Sequence, residues 1–272
     1  MSSPELTVAR QAAREAGAII AQKFRGELQI SGKESFNLVT EVDLASERAI
    51  AETIRRAFPT HAILGEELSQ ADLDAPDLWV IDPLDGTNNY AHGLEQFAVS
   101  IGYYRQGRPH CGVVHQPTRD EWYWAEAGGG SFAETRGRNG NRAVRSLRVS
   151  NAERLDQALV GCGFFYDRGA MMEATLATIG DLFRAKIHGI RRFGAASLDL
   201  CYVASGALDG FFEFELAPWD FGAARLILTE AGGRIGDCFG GELGIGRSTV
   251  LASNGPLHGP LLEVVRRHVP QR

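Results

Sequence analysis

Cysteine is scarce in this sequence, and none of the four cysteines forms a pair or belongs to a Cys/His cluster. Structural zinc sites need such groups at short spacing, so the sequence predicts no zinc site. Scattered cysteines are typical of free thiols in a reducing compartment, and we expect a cytoplasmic protein. The N-terminus lacks a basic segment followed by an apolar core, so no signal peptide is predicted.

Long apolar runs and an excess of basic charge are absent as well. No stretch approaches the roughly 20 apolar residues that span a bilayer, so we expect no membrane segment. The formal net charge is −6, which argues against general binding to nucleic acid or to anionic membranes. The arginine-rich stretch 135–148 has no interleaved aromatic residues, and we interpret it as a solvated loop or hairpin. We therefore expect no nucleic-acid partner.

Two common catalytic devices are also missing. The glycine run Gly128-Gly129-Gly130 is followed neither by a helix pattern nor by Lys-Ser/Thr, so it does not match a P-loop. No cysteine, serine or histidine lies in a setting that suggests a nucleophile. The chemistry has to come from other residue types, and the sequence directs attention to its carboxylates.

The hydrophobic pattern predicts a layered α/β protein. Amphipathic helices are expected after Ser3-Pro4 and after the capping-box pattern that starts at Thr40. Residues 97–132 alternate between apolar and polar positions and predict an antiparallel meander. From residue 158 onward, short strands alternate with helices. We expect a single domain over residues 1–272 with two closely packed subdomains, residues 1–150 and 151–272, that share one cleft.

The helix predicted over residues 169–184 has a regular apolar face. We expect this face to be turned inward, and it consists of Met172, Leu176, Ile179 and Phe183.

The most specific local pattern is an apolar run that ends in two carboxylates, a glycine and a threonine. It reads Trp79-Val80-Ile81-Asp82-Pro83-Leu84-Asp85-Gly86-Thr87. We predict a buried strand that stops at Asp82, because Pro83 cannot donate to a sheet ladder. Two carboxylates at this spacing in a tight turn point at one small volume, where a hard divalent cation relieves their repulsion. Gly86 and Thr87 offer backbone N–H groups beside that cation, a suitable seat for phosphate.

Three other stretches end an apolar segment in an acid, at Asp43, at Glu66-Glu67 and at Asp220. Taken alone, Asp43 and Asp220 are interpreted as helix caps, and the glutamate pair as a solvated loop tip. Strand ends on one side of a sheet are, however, where α/β proteins place their sites. Beside Asp82 and Asp85, the same acids would complete a metal site.

Four segments, in order, resemble the motifs of the inositol monophosphatase family of magnesium-dependent phosphatases. They are Leu38–Asp43, Leu64–Glu67, Trp79–Asn88 and Pro218–Gly233, and the likeness extends over nearly the whole chain, to Ala252-Ser253-Asn254. Arg191–Leu200 looks like the bacterial inositol-1-monophosphatase branch of the family. The resemblance implies an alternating α-β-α-β-α fold, two to three Mg²⁺ ions per subunit, a homodimer, and inhibition by Li⁺.

The resemblance also implies roles for individual residues. Asp43, Thr87 and Glu66 would be the catalytic residues, and Asp43 and Thr87 would orient and deprotonate the attacking water. A third, weaker Mg²⁺ would lie near Glu66 and Asp43. The implied metal ligands are Glu66, Asp82, the Leu84 carbonyl, Asp85 and Asp220. The implied substrate-binding residues are Asp85, Gly86, Thr87, Ala195, Ala196, Glu213 and Asp220.

The implied activity is hydrolysis of inositol 1-phosphate by in-line attack of a metal-activated water. Alternative substrates for the same mechanism are fructose-1,6-bisphosphate, a nucleotide 3′-phosphate and histidinol phosphate. A non-catalytic regulatory protein on this fold is the alternative from another class. The segment Gly161–Tyr166 stands where animal enzymes have a small polar loop, so its aromatic residues leave the substrate open.

Overall fold

Two large β-sheets and seven α-helices make up the part of the chain that the computed structural model describes, residues 2–26, 30–34, 37–137 and 140–270. The helices are α1 (Pro4–Lys23), α2 (Glu41–Ala57), α3 (Thr87–Ala91), α4 (Ala170–Arg184), α5 (Ala196–Ala204), α6 (Pro218–Glu230) and α7 (His258–Val265). A short 3₁₀ turn covers Leu155–Gln157. No helix among these residues has the length and apolar character that crossing a membrane requires.

The first two helices begin at the residues that the sequence indicates. The Ser3 side chain accepts a hydrogen bond from the backbone N–H of Leu6, and Pro4 occupies the first helical position. The Thr40 hydroxyl caps α2, while Asp43 accepts a hydrogen bond from the Thr40 backbone in return. Each cap satisfies N–H groups that have no partner inside the helix.

The larger sheet has seven strands in the order β3-β4-β5-β6-β7-β8-β9. Only β3 and β4 run parallel, and the remaining pairs form the expected antiparallel meander. A separate two-stranded ribbon consists of β1 (Ile30–Glu34) and β2 (Asn37–Thr40). The sheet strands are β3 (Ala62–Gly65), β4 (Asp77–Asp85), β5 (Ala98–Arg105), β6 (Arg108–Gln116), β7 (Glu121–Glu126), β8 (Gly130–Arg136) and β9 (Arg142–Ser146).

The smaller sheet has five strands in the order β11-β10-β12-β14-β13. The first three are mutually parallel, and β14 is antiparallel to both of its neighbours. These strands are β10 (Leu159–Cys162), β11 (Gly189–Arg191), β12 (Gly210–Leu216), β13 (Arg234–Gly236) and β14 (Ser248–Ser253).

Helices cover both faces of each sheet. Helices α1 and α2 pack on one face of the seven-stranded sheet, and α6 packs on its other face with α5 beside it. Helix α5 also contacts the five-stranded sheet, whose far side is covered by α4 and α7. The order of layers is therefore α-β-α-β-α, as the family resemblance implies. The division into subdomains near residue 150 stays a prediction.

Strand β4 does not stop at Asp82, so that expectation was wrong. It continues to Asp85, and its pairing with β5 shifts register between Asp82 and Asp85. Pro83 lies inside this bulge, where the ladder needs no donor. The bulge gives the two aspartates their positions at the end of the strand.

Helix α4 turns only part of its predicted apolar face to the core: Ile179 packs against the core, but Leu176 and Phe183 do not. The buried residues are Thr175, Thr178 and Leu182, whereas Leu176 is 49% exposed and Phe183 is 52% exposed. The threonine hydroxyls can be buried because each donates to the carbonyl four residues earlier. Spacing alone identifies an apolar face but not the element that it contacts.

Candidate functional site

One cavity opens where the end of β4 meets the first turns of α5 and α6. It contains nearly all the side chains that the sequence nominated, from both halves of the chain, although Asp43 lies behind Thr87 rather than at the cavity wall. The polar and small residues on its wall include Glu66, Asp82, Asp85, Gly86, Thr87, Ala195, Ala196, Glu213 and Asp220.

Asp82 is buried at the bottom of the site. Only 1% of its surface is exposed, and its Oδ1 accepts a hydrogen bond of 2.9 Å from the backbone N–H of Leu84. Burial raises the pKa of Asp82 well above its usual range, and the negative charges of Glu66, Asp85 and Asp220 raise it further. Carboxylates from three separate segments thus share one poorly solvated volume, an arrangement that a cation would stabilise.

Asp85 links the two halves of the molecule. Its Oδ1 accepts a hydrogen bond of 3.2 Å from the Ala196 N–H, and its Oδ2 accepts one of 2.8 Å from the Ser197 N–H. The Ser197 hydroxyl donates to Oδ2 as well. Burial raises the pKa of Asp85 to about 6, and the bonds from Ser197 and Ala196 oppose that rise. Asp85 therefore caps α5 from across the cleft, a role that its own segment does not reveal.

Gly86 occupies a position that only glycine fits. Its φ of +93° is in the left-handed region. A Cβ atom there would stand 2.8 Å from the carbonyl oxygen of Gln96 and 3.2 Å from the Cβ of Ala195. The chain can therefore turn from β4 into α3 beside the start of α5, and this turn brings Thr87 to the cavity.

Thr87 contacts Asp43 from the other side of the turn. The Thr87 hydroxyl lies 3.0 Å from Asp43 Oδ1 and 2.9 Å from the Leu84 carbonyl oxygen. Asp43 Oδ2 accepts a hydrogen bond of 2.8 Å from the Thr40 N–H. Burial, opposed by hydrogen bonds from Thr40 and Thr87, raises the pKa of Asp43. Asp43 is thus the predicted helix cap and, through its second oxygen, a partner of Thr87.

Glu47 positions the Glu66 loop, and the sequence interpretation missed it. Its buried carboxylate accepts hydrogen bonds from the backbone N–H groups of Glu67 at 2.7 Å, Leu68 at 2.9 Å and Ser69 at 2.6 Å. A Cβ atom on Gly65 would overlap this carboxylate. The sequence could have indicated Glu47, because it follows Asp43 by four residues and so lies on the same side of α2.

Asp220 and Glu213 approach the cavity from the second half of the chain. Helix α6 begins at Pro218, so Asp220 is its third residue and not, as predicted, the residue before it. Asp220 Oδ2 accepts a hydrogen bond of 2.7 Å from the N–H of Ala217, which precedes the helix. Burial, followed by the charge of Asp85, raises the pKa of Asp220 well above its usual range. Burial raises the pKa of Glu213 to about 8, and the positive charge of Arg192 opposes that rise.

Several cavity residues were not singled out from the sequence. Arg192 and Asp199 flank the start of α5, and Trp219 and Arg247 lie near Asp220. The aromatic segment Phe164–Tyr166 also lines the cavity, which connects this loop to the site. Arg192 and Asp199 could have been identified from the sequence, because they lie on either side of Gly194-Ala195-Ala196, a stretch already assigned to the pocket.

The donor set suits a hard divalent cation. Among the described residues, no three His, Cys, Asp or Glu side chains already form a closed metal-binding group. Asp82, Asp85 and Asp220 each accept backbone hydrogen bonds instead. A carboxylate oxygen keeps a second lone pair when it accepts one bond, so these acids retain capacity for a metal. All the donors are oxygens, the ligands that Mg²⁺ prefers, and their mutual repulsion is the physical reason for a cation to bind.

Comparison with known proteins agrees with the fold and shows the family. Residues 1–270 match the model of the inositol monophosphatase family. The chain is 40% identical over 275 residues to the Nus factor SuhB of Pseudomonas aeruginosa, covering 98% of this chain and 97% of that protein. It is 38% identical over 275 residues to the inositol-1-monophosphatase of Rhizobium meliloti, covering 98% of each.

A solved structure is similar over the same length. The inositol monophosphatase from Anabaena (Nostoc) superposes with a TM-score of 0.82 at 38% identity, covering 97% of this chain and 96% of that one. The family match and the superposition thus both extend over nearly the whole chain. This chain belongs to the inositol monophosphatase family.

Proposed function

We propose that this protein is a Mg²⁺-dependent phosphatase that hydrolyses a small phosphate monoester, with inositol 1-phosphate as the first candidate substrate. The observation that carries the proposal is the meeting of Asp82, Asp85 and Asp220 with Glu66 around one buried volume next to Thr87. Such a concentration of carboxylates is costly unless it binds cations.

The roles follow from the positions of the side chains. Glu66, Asp82, Asp85 and Asp220, with the Leu84 carbonyl, would hold two Mg²⁺ ions, and a third would lie near Glu66 and Asp43. When bound, these ions neutralise the ester and acidify a water. Asp43 accepts the Thr87 hydroxyl, so the pair is placed to orient that water and receive its proton. Gly86 and Thr87 would hold the phosphate.

The leaving group would occupy the part of the cavity beside α5. Ala195 and Ala196 offer a smooth apolar surface there, and Glu213 offers a buried acceptor for a hydroxyl. A sugar or a polyol presents both kinds of surface. This combination supports a polyol phosphate over an unsubstituted alkyl ester.

A phosphate-release assay with Mg²⁺ tests the proposal. The panel contains inositol 1-phosphate, fructose-1,6-bisphosphate, a nucleotide 3′-phosphate and histidinol phosphate, and we expect the highest kcat/KM for the first. Millimolar Li⁺ is expected to inhibit, by competing at a Mg²⁺ position. If the protein prefers another ester, that ester becomes the proposed substrate and the proposed mechanism stays the same. Release from none of them would favour a non-catalytic regulatory protein.

We also propose that the protein forms a homodimer through α4. Leu176 and Phe183 lie one above the other on this helix and are about half exposed, and Met172 extends the same face. An exposed apolar stripe of this kind on a helix is typical of an association surface. Because the stripe lies on a single helix, two copies crossing there would cover each other's exposed side chains.

Phe183→Glu is expected to convert the dimer into a monomer. The added charge would be buried in the contact without a partner. Light scattering coupled to size exclusion measures the mass, which should fall from about twice 29.6 kDa to that value. Lys186→Glu, an exposed change just after the helix, is the control and should leave the mass unchanged. A wild-type protein that is a monomer at micromolar concentration would contradict the proposal.

A second candidate function comes from the relatives named Nus factor SuhB, among them the Pseudomonas aeruginosa protein. The observation that favours it here is edge strand β9, whose residues are all exposed and include Arg142 and Arg145. Arg142 is paired with Asp120 and Glu134. We propose that this edge contacts nucleic acid, in opposition to the expectation from the net charge of −6.

Filter binding of a single-stranded RNA at several salt concentrations tests this second candidate. Arg148, also exposed, lies two residues beyond β9. The double variant R145E/R148E is expected to weaken binding and to lower the salt slope by about two. R55E on α2, away from β9, is the matched control. Wild-type protein that binds no RNA at low salt would restore the original expectation of no nucleic-acid partner.

The cytoplasmic location stays a prediction, supported by four buried free cysteines.

A further inference from the structure

Asp199 is a buried acid that the proposed mechanism does not use. It lies in the first turn of α5, three residues after Ala196, and both residues line the cavity. Only 1% of its surface is exposed, and its Oδ1 accepts no hydrogen bond from any described residue. Buried acceptors nearly always have a partner. The position of Asp199 indicates that its partner enters through the cavity.

A purely structural role at the helix start does not explain Asp199. The backbone N–H groups of Ala196 and Ser197 at the start of α5 donate to Asp85 and not to Asp199. The Asp199 N–H donates to the Ala195 carbonyl within the chain. No described residue therefore donates to Asp199 Oδ1, and capping of the helix start does not account for this buried acid.

The surroundings of Asp199 have more acceptors than donors. Glu213 lines the same cavity, and its carboxylate lies so close to Gly163 that a Cβ atom there would overlap it. Burial raises the pKa of both Asp199 and Glu213, and the positive charge of Arg192 opposes the rise in each. The charge of one guanidinium acts on two carboxylates, which leaves acceptor capacity for a ligand. Hydroxyl groups supply donors of the required kind without adding charge.

We propose that Asp199 is a specificity residue that accepts a hydroxyl of the leaving group, beside the hydroxyl that Glu213 accepts. The substrate class is then a compact phosphate monoester with two neighbouring hydroxyls on its leaving group. This inference rests on the proposed phosphatase function and adds a second acceptor to its pocket. An ester without hydroxyls gains nothing from the second acceptor.

Asp199→Asn tests the proposal with two esters of different leaving groups, inositol 1-phosphate and phenyl phosphate. The change keeps the volume but removes the charge and replaces one acceptor oxygen by a donor. We expect kcat/KM for inositol 1-phosphate to fall about 10- to 100-fold. The ratio of kcat/KM for inositol 1-phosphate to kcat/KM for phenyl phosphate should fall at least about tenfold. Asp199→Ser, which replaces the carboxylate by a shorter hydroxyl side chain, is the second variant and should lower the same ratio.

Tyr202→Phe is the control on the same helix, because its hydroxyl bonds to Gln96 outside the cavity. Its ratio should match that of the wild type. Calorimetry with free inositol, Mg²⁺ and inorganic phosphate adds a readout that needs no turnover, and Asp199→Asn should weaken inositol binding about tenfold or more.

An equal loss on both esters, or an unchanged ratio with unchanged inositol binding, would overturn the role of Asp199 and leave the phosphatase intact. Wild-type protein that releases phosphate from neither ester would contradict the proposed function and this inference together.

Discussion

Asp82→Asn is expected to lower kcat/KM about 1,000-fold and, at the same time, to make the metal-free protein more stable. Asp82 is the acid whose pKa is raised by burial and by the charges of Glu66, Asp85 and Asp220. Asparagine keeps the acceptor for the Leu84 N–H but removes one of the charges that repel each other. The loss of activity reflects weaker electrostatic stabilisation of the reacting phosphate.

Thermal unfolding with and without Mg²⁺ separates the two effects of Asp82→Asn. Saturating Mg²⁺ should raise the Tm of the wild type by about 5 to 10 °C, because a ligand at 100 times its Kd adds about 2.7 kcal/mol. Without Mg²⁺ the Tm of the variant should be higher than that of the wild type, and Mg²⁺ should raise it only slightly. Asp74→Asn, on the exposed loop before β4, is the control and should behave like the wild type. A variant with the full Mg²⁺ response would remove Asp82 from the metal site.

The Mg²⁺ response should also depend on pH. The pKa of Asp85 is raised to about 6, so the metal-free site is most stable below about pH 4, where unfolded aspartates are protonated too. That stability is lost as the pH rises through about 6. Bound Mg²⁺ favours the charged acids, so the Tm difference should grow from pH 4 to pH 7. The buried imidazoles of His115 and His258, whose pKa values are lowered to about 4, oppose this trend but cancel in the difference.

Glu47→Gln is expected to weaken Mg²⁺ binding about 10- to 100-fold although Glu47 is not among the proposed ligands. Its two carboxylate oxygens accept the N–H groups of Glu67, Leu68 and Ser69. A glutamine has one acceptor oxygen, and its NH₂ group would face a donor. The loop that carries Glu66 would then lose its fixed position, and the free energy of unfolding should fall by about 1 to 3 kcal/mol.

The Mg²⁺ concentration that gives half-maximal activity measures the effect of Glu47→Gln. Glu52→Gln is the matched control, because it lies on the exposed side of the same helix. A pure loss of stability would lower the Tm without moving the Mg²⁺ midpoint. That outcome would assign Glu47 to folding alone.

Residues close together in the chain were predicted well. The caps at Ser3 and Thr40 and the meander lie where local patterns indicate, because turns, caps and alternation depend on neighbouring residues. The turn from Asp82 to Thr87 is also local, and its metal-binding interpretation follows from spacing and charge. Taken alone, Glu66 and Asp220 are interpreted as part of a loop tip and as a cap. Their place at strand ends beside Asp82 and Asp85, and then the family resemblance, added them to the site.

Tertiary structure decided which surfaces and which atoms meet. Pro83 fits inside β4 because a bulge against β5 removes the need for its N–H. Helix α4 buries Thr175 and Thr178, whose hydroxyls bond within the helix, and leaves Phe183 about half exposed. Such outcomes depend on the packing partner, and a periodic pattern carries no information about that partner.

The sequence by itself therefore determined which residues form the short turn, two acids, a glycine and a threonine, and from them the metal-site hypothesis. It determined neither the second role of Asp85 as the cap of α5 nor the support that Glu47 gives to the Glu66 loop. Those contacts join segments that are distant in the chain, and they form only when the layers pack. The unpaired Oδ1 of Asp199 belongs to the same class, because burial beside a cavity is a property of the folded molecule.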